Sequence, residues 1–245
     1  MFSITVPNLR RLSAGLLFLS LAPYTWAGVV IEGTRVIYAE KERAVTVKMT
    51  NKGKDPVLME VWADRGNIKS KPQTADAPFL ITPPIFRLDS QKGQSVRLVF
   101  TGEDLPKDRE SLFWFNALEI PSMPKAANSN FMQIAVRSRL KLFYRPAGLS
   151  GSLDKAVDQV KWEIINKGSE IFLKGDNPSP YYLTYSNLDL VQGGKSYPAA
   201  NGMIAPFSSE LFKLSDVKVD LNNAQLRYRW MSDYGAGVER EVRLK

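Results

Sequence analysis

The sequence predicts an all-β protein built as two immunoglobulin-like β-sandwich domains. Three observations carry that expectation. Short runs that alternate apolar and polar residues recur from Val29 onward, separated by turn residues, and few stretches show a helical period. The pattern breaks at Arg145-Pro-Ala-Gly148 and then restarts, which places a boundary between a first domain at 28–147 and a second at 148–245. Each part is long enough to bury a core of its own, without disulfide staples.

In the first domain the runs are Val29 to Tyr38, Ala44 to Thr50 and Val57 to Trp62, the last two joined by Asn51-Lys-Gly53 and read as a hairpin. Phe79 to Ile81 leads into Pro83-Pro84. Ser95 to Phe100 alternates Val96, Leu98 and Phe100 against polar partners, and Leu112 to Leu118 is rich in aromatics. With the run that ends at Arg145, roughly seven short strands fill the first domain, the pattern of an immunoglobulin-like sandwich. After Leu149 to Lys155, which is polar and small, the second domain offers Val160 to Ile165, Glu170 to Leu173, Tyr181 to Leu190, Met203, Glu210 to Leu214, Leu226 to Met231 and Val238 to Leu244.

The first 27 residues stand apart, and 1–27 is read as a signal peptide. Arg10 and Arg11 precede the apolar stretch Leu12 to Ala22, and Thr25 and Ala27 suit a cleavage site before Gly28. An uncleaved anchor is the alternative, but the apolar stretch is short for a spanning helix. Removing this segment takes two Arg and no acid, so 33 − 2 = 31 basic residues face 25 acidic ones, a net charge of 31 − 25 = +6. Anionic partners suit such a chain, yet no Lys/Arg-rich run or aromatic-basic array marks a nucleic-acid site. The whole sequence holds no cysteine and no histidine, which removes thiolate chemistry, Cys/His zinc sites and every Ser-His-Asp or Cys-His pair. No paired-acid or Ser-x-x-Lys segment recommends a hydrolase, so no catalytic residue, metal or cofactor is assigned.

Asn130 to Arg145 reads as one long strand with two demanding faces. One parity carries Met132, Ile134, Val136, Ser138, Leu140, Leu142 and Tyr144; the other carries Phe131, Gln133, Ala135, Arg137, Arg139, Lys141 and Phe143. The pattern fits either a central sandwich strand or a sheet-edge strand that pairs with a second protein.

Three segments go beyond fold class: Leu105-Pro-Lys-Asp-Arg-Glu-Ser-Leu-Phe-Trp-Phe-Asn116 continuing to Glu119-Ile-Pro121, then Lys141-Leu-Phe-Tyr-Arg-Pro146, then Asp176-Asn-Pro-Ser-Pro-Tyr-Tyr182. With Met203-Ile-Ala-Pro206 and Ser232-Asp-Tyr-Gly235, they make the chain resemble the periplasmic, PapD-like chaperones of the chaperone-usher pilus pathway over nearly its whole length after residue 27. The resemblance implies a boomerang of two immunoglobulin-like domains that holds an incomplete pilus subunit along the first domain's last strand and delivers it to an outer-membrane usher. By position, Met132, Ile134 and Val136 are the donor residues for the subunit groove. Arg35 and Lys141 would bind the subunit's C-terminal carboxylate, with Lys141 on the parity opposite the donor row. Glu110, Arg145 and Asp233 would form an interdomain ion network. The segment from Ser122 to Phe131 is short and no cysteine pair flanks it, which is similar to the short-loop subgroup. The partners implied are pilus subunits and an usher, in the periplasm, with no nucleic acid and no membrane insertion of the exported chain. Taken alone, the same residues read as core packing, solvated strand charges and unrelated surface ions. A two-domain structural or adhesive protein of a surface fibre is the alternative to a chaperone.

Overall fold

The computed structural model describes residues 28–123, 132–168, 170–215 and 224–244. The expected leader, and Asn130 and Phe131 of the long strand, lie outside them. The first sandwich contains β1 (Val29–Ile31), β2 (Arg35–Ala39), β3 (Val45–Asn51), β4 (Val57–Asp64), β5 (Phe79–Thr82), β6 (Ile85–Leu88), β7 (Gly93–Phe100), β8 (Ser111–Pro121) and β9 (Val136–Arg145). One sheet runs β1-β3-β7-β5 and the facing sheet β2-β9-β8-β4-β6. All neighbours in both sheets are antiparallel except β2 and β9, which pair in parallel with Arg35 opposite Lys141 and Ala39 opposite Arg145.

The second sandwich follows a short helix, α1 (Leu153–Asp158). It is built from β10 (Lys161–Lys167), β11 (Glu170–Asn177), β12 (Leu183–Gln192), β13 (Lys195–Pro198), β14 (Gly202–Ile204), β15 (Ser208–Lys213), β16 (Gln225–Met231) and β17 (Gly237–Arg243). One sheet is β10-β11-β15; the other is β13-β12-β16-β17, with β14 added beside β12. The stretch read as polar and small runs into α1, whose Leu153, Ala156 and Val157 turn inward against this domain's core.

The period-2 alternation of the strands builds both cores. In β8, Phe113, Phe115 and Ala117 point inward, as do Leu140, Leu142 and Tyr144 of β9 and Val96 and Leu98 of β7. A cluster of Tyr38, Phe79, Phe100, Phe113 and Tyr144, with neighbouring centroids 4.5–6.4 Å apart, closes the end of the core nearest the second domain. In the second domain, Trp162 meets Tyr185 edge-on at 5.2 Å over Leu173, Leu188, Leu226 and Trp230.

Three local readings are corrected. The run from Val29 to Tyr38 is two strands in different sheets: the chain crosses at Gly33, whose φ of 89° lies in the left-handed region that a side chain disfavours. The Asn51-Lys-Gly53 turn does not make a hairpin, since β3 pairs with β1 and β7 while β4 pairs with β6 and β8. The Asn51 side chain instead donates to the carbonyls of Asp55 and Leu88 and accepts from Gly53 N, which arches the chain from one sheet to the other. Asn130 to Arg145 is not one continuous strand either, because 132–135 are exposed and unladdered and the regular strand starts at Val136.

Gly33→Ala is expected to lower the unfolding free energy by about 1–2 kcal/mol, the cost of a Cβ in left-handed backbone. Gly93→Ala, in β7, where an added Cβ meets only ordinary contacts from 3.5 Å outward, should stay within about 0.5 kcal/mol. Urea denaturation of the two variants checks the difference.

Candidate functional site

Strand β9 is held unequally along its length. Antiparallel β8 runs beside it from Val136 to Tyr144, whereas β2 covers only 141–145 on the other side. Among the described residues, the outer edge of 136–140 therefore has no strand partner. An open edge of this kind offers backbone donors and acceptors to an incoming chain.

The two parities of this segment behave oppositely. Met132, Ile134 and Val136 are 85, 65 and 53% exposed, so the apolar row read from the sequence is on the surface and core packing does not account for it. The odd positions are tied down. Gln133 Nε2 donates to the Pro121 carbonyl at 2.6 Å, and Arg137 and Arg139 reach across β8 towards β4.

Beyond the open edge, where β2 begins, Arg35 and Lys141 stand opposite each other. Lys141 Nζ donates to Thr184 Oγ1 of the second domain at 3.1 Å, and Arg35 Nη1 donates to the Met231 carbonyl at 3.1 Å. The Arg35 Nε is buried with no hydrogen-bond partner, and among the described residues neither side chain has a carboxylate oxygen within 4.0 Å. Burial, and after it the Arg35 charge, pushes the Lys141 ammonium down to about 8. Two half-buried cations in register, both in contact with the second domain, create a local demand for an anion.

Next to them the two domains are locked. Arg145 donates Nε to Glu110 Oε1 at 2.7 Å and both terminal nitrogens to Asp233 at 2.7 Å, the bidentate fork that a planar guanidinium favours. The other Glu110 oxygen accepts Tyr182 N at 2.8 Å, and Glu110 N donates to the Pro180 carbonyl at 3.0 Å. Glu110 belongs to the interior, with its side chain 1% exposed. Alongside, Phe143 packs on Tyr182, and Gly235 lies so close to Thr34 that a Cβ would overlap the threonine hydroxyl.

One cluster escaped the sequence reading. Asp64, at the end of β4, is fully buried and accepts from Gly66 N, Ser70 Oγ, Asn116 Nδ2 and Arg139 Nη2 at 2.7–2.8 Å, with Arg137 Nη2 at 3.4 Å. Asn116 Oδ1 takes both arginines, and their guanidinium groups lie 4.7 Å over the Trp62 and Trp114 rings. Its signal was the polar positions Asp64 and Asn116 in otherwise apolar runs, on strands adjoining two arginines of one parity.

Among the described residues, no group of three or more acids could hold a metal ion, and no helix is long and apolar enough to cross a membrane.

Comparison with known proteins matches residues 28–150 to the profile of the pili and flagellar-assembly chaperone PapD N-terminal domain, and 155–242 to that of the pili assembly chaperone PapD C-terminal domain. The probable fimbrial chaperone YadV of Escherichia coli K12 is 42% identical over 89% of this chain and 90% of its own. The chaperone protein HifB of Haemophilus influenzae is 43% identical over 88% of each. The crystal structure of YadV superposes with a TM-score of 0.77 at 40% identity, covering 89% of this chain and 100% of that one. The periplasmic chaperone SfaE superposes at 0.67 with 33% identity, over 88% and 98%.

Removing Arg145 leaves the Glu110 carboxylate buried without its counter-charge, so Arg145→Met should destabilise the protein by about 3–5 kcal/mol. Asp233→Asn should cost about 1 kcal/mol or less, because the Asp233 side chain is 31% exposed. Chemical denaturation followed by tryptophan fluorescence checks the order of the two effects.

Proposed function

Because the chain belongs to the family of chaperones that assemble pili and fimbriae, we propose that it captures incomplete pilus subunits in the periplasm by strand addition to β9 and passes them to an outer-membrane usher. The observation that supports this reading best is the placement of an open strand edge in line with two half-buried cations that, among the described residues, are in no salt bridge. A subunit missing its last strand exposes a groove and unpaired backbone. Met132, Ile134 and Val136 are the side chains that fill the groove, each contributing roughly 1.5–3 kcal/mol if fully buried. The unpaired groups of 136–140 satisfy the subunit's backbone.

Arg35 and Lys141 take the subunit's terminal carboxylate, one as a fork and the other as a point charge. Lys141 lies five residue steps beyond Val136, about 17 Å of extended chain, so fixing the carboxylate at one end fixes which side chains meet the groove at the other. A one-residue slip would turn the wrong parity inward. Glu110, Arg145 and Asp233 keep the second domain against this anchor, and Thr184 and Met231 of that domain reach the two cations directly. The energy for release comes from folding of the subunit itself, so the mechanism needs no catalytic residue, nucleotide or metal. Residence in the periplasm is consistent with the likeness to SfaE. The adhesive alternative is left without support once the chain is placed among the chaperones.

Arg35→Ala and Lys141→Ala should each abolish recovery of a subunit–chaperone complex from periplasmic extracts while the chaperone stays folded; unchanged yield in both would overturn the carboxylate anchor.

Capture should also depend on pH. A lysine held at about 8 in the folded chain and near 10.4 when unfolded loses its proton on folding between those values. The free chaperone therefore gains stability as pH rises through that window, while affinity for a carboxylate falls because capture needs the ammonium. Lys141→Arg should flatten the affinity profile, and Lys141→Met should melt no lower than wild type yet capture nothing, read by thermal denaturation and complex titration at pH 7 and 9.

A further inference from the structure

We propose that Asp64, with Asn116, is a positioning residue for subunit capture: it holds the unpaired half of β9 extended by gripping Arg137 and Arg139 from behind. This inference rests on the strand-addition reading above and adds residues that reading does not use.

The half of β9 that lacks an outer neighbour, 136–140, is also the half whose odd side chains are clamped. Arg139 stands opposite Asn116, which stands opposite Trp62; Arg137 stands opposite Leu118, which stands opposite Glu60. The clamp therefore runs across three strands, from the free edge to β4, and ends on a carboxylate with no exposure to water. Five donors converge on the two Asp64 oxygens, and one of the arginines also donates Nη1 to the Ile68 carbonyl at 2.8 Å.

A central strand is kept extended by ladders on both sides. This segment has one ladder and a set of charge-assisted side-chain bonds in place of the other. Because successive side chains alternate, holding 137 and 139 against the sheet turns 136 and 138 to the opposite side. Gln133 on Pro121 extends the same constraint towards 132 and 134. The donor row is thus ordered without being covered, and less ordering has to be completed when a subunit binds.

The test uses the full exported chaperone and, as probe, a pilus subunit from the same bacterium, unfolded in urea and diluted onto it. In Asp64→Asn, amide hydrogen exchange in 136–140 should rise about tenfold while β3 and β7 in the opposite sheet keep their protection, and the association rate with the subunit should fall about tenfold. Arg139→Lys keeps the charge, loses the fork and should give a smaller change in the same direction; it decides the matter if Asp64→Asn does not fold. Exchange that rises evenly over the domain, or an association rate that stays at wild type while 136–140 loosens, would overturn the proposal. Ile134→Asp, in the exposed donor row, separates the two ideas in parallel: if it too captures normally, the strand-addition reading fails, and if only the Asp64 and Arg139 variants capture normally, the positioning role alone fails.

Discussion

Backbone polar groups have to be bonded, and the structure is arranged around a stretch in the middle of a sheet where a row of them has no strand partner. Residues 136–140 have β8 on one side only, although they belong to a strand whose next four residues are enclosed on both. The enclosed half is ordinary sandwich: Leu142 and Tyr144 enter the core, and β2 completes the ladder. At the start of the open half Val136 is exposed, in line with Met132 and Ile134, while Arg137 and Arg139 are bonded across the sheet, the reverse of what burial alone would choose. Aggregation through such an edge is a general hazard of β proteins, and here the charges surrounding it, mostly arginine and lysine, disfavour pairing of like with like.

The cleft between the domains sets two electrostatic situations side by side. Arg145 meets two carboxylates with good geometry, and its charge is well compensated. Arg35 and Lys141 face each other and hydrogen-bond neutral oxygens; the charges of Asp233 and Glu110 offset the desolvation of Arg35 only in part, and burial and Arg35 together disfavour the Lys141 charge. Stability alone would select against such a pair, in the way that binding sites commonly depart from the most stable sequence. The well-compensated network holds the second domain in a position from which it can supply Thr184 and the Met231 carbonyl to the less compensated pair.

Much of this was legible in the sequence, because alternation identifies strands and their inward faces. The two-sandwich plan, the second domain's strands other than β13 and the polarity of the Met132, Ile134 and Val136 row all follow from period 2. What alternation does not carry is which sheet a strand joins. Gly33 and the Asn51 turn each move the chain from one sheet to the other, and each was read as a continuation or a hairpin because the local pattern is the same either way. The burial of Glu110 was not legible, since it depends on Tyr182, 72 positions away in sequence, lending its backbone N–H. The Asp64 cluster was missed for the same reason: Asp64, Asn116 and Arg139 are ordinary polar residues until three strands bring them together.

The contact between Gly235 and Thr34 bears on how the cleft responds to its surroundings. A turn of the second domain rests there on the β1–β2 crossover, with no room for even a methyl group between them. Hard-core repulsion at this point limits how far the domains can approach, while the Arg145 fork limits how far they can separate. Dissolved salt weakens the second limit and leaves the first untouched. The cleft is therefore a calliper with one rigid jaw: changes in ionic strength can let it open but cannot make it close further.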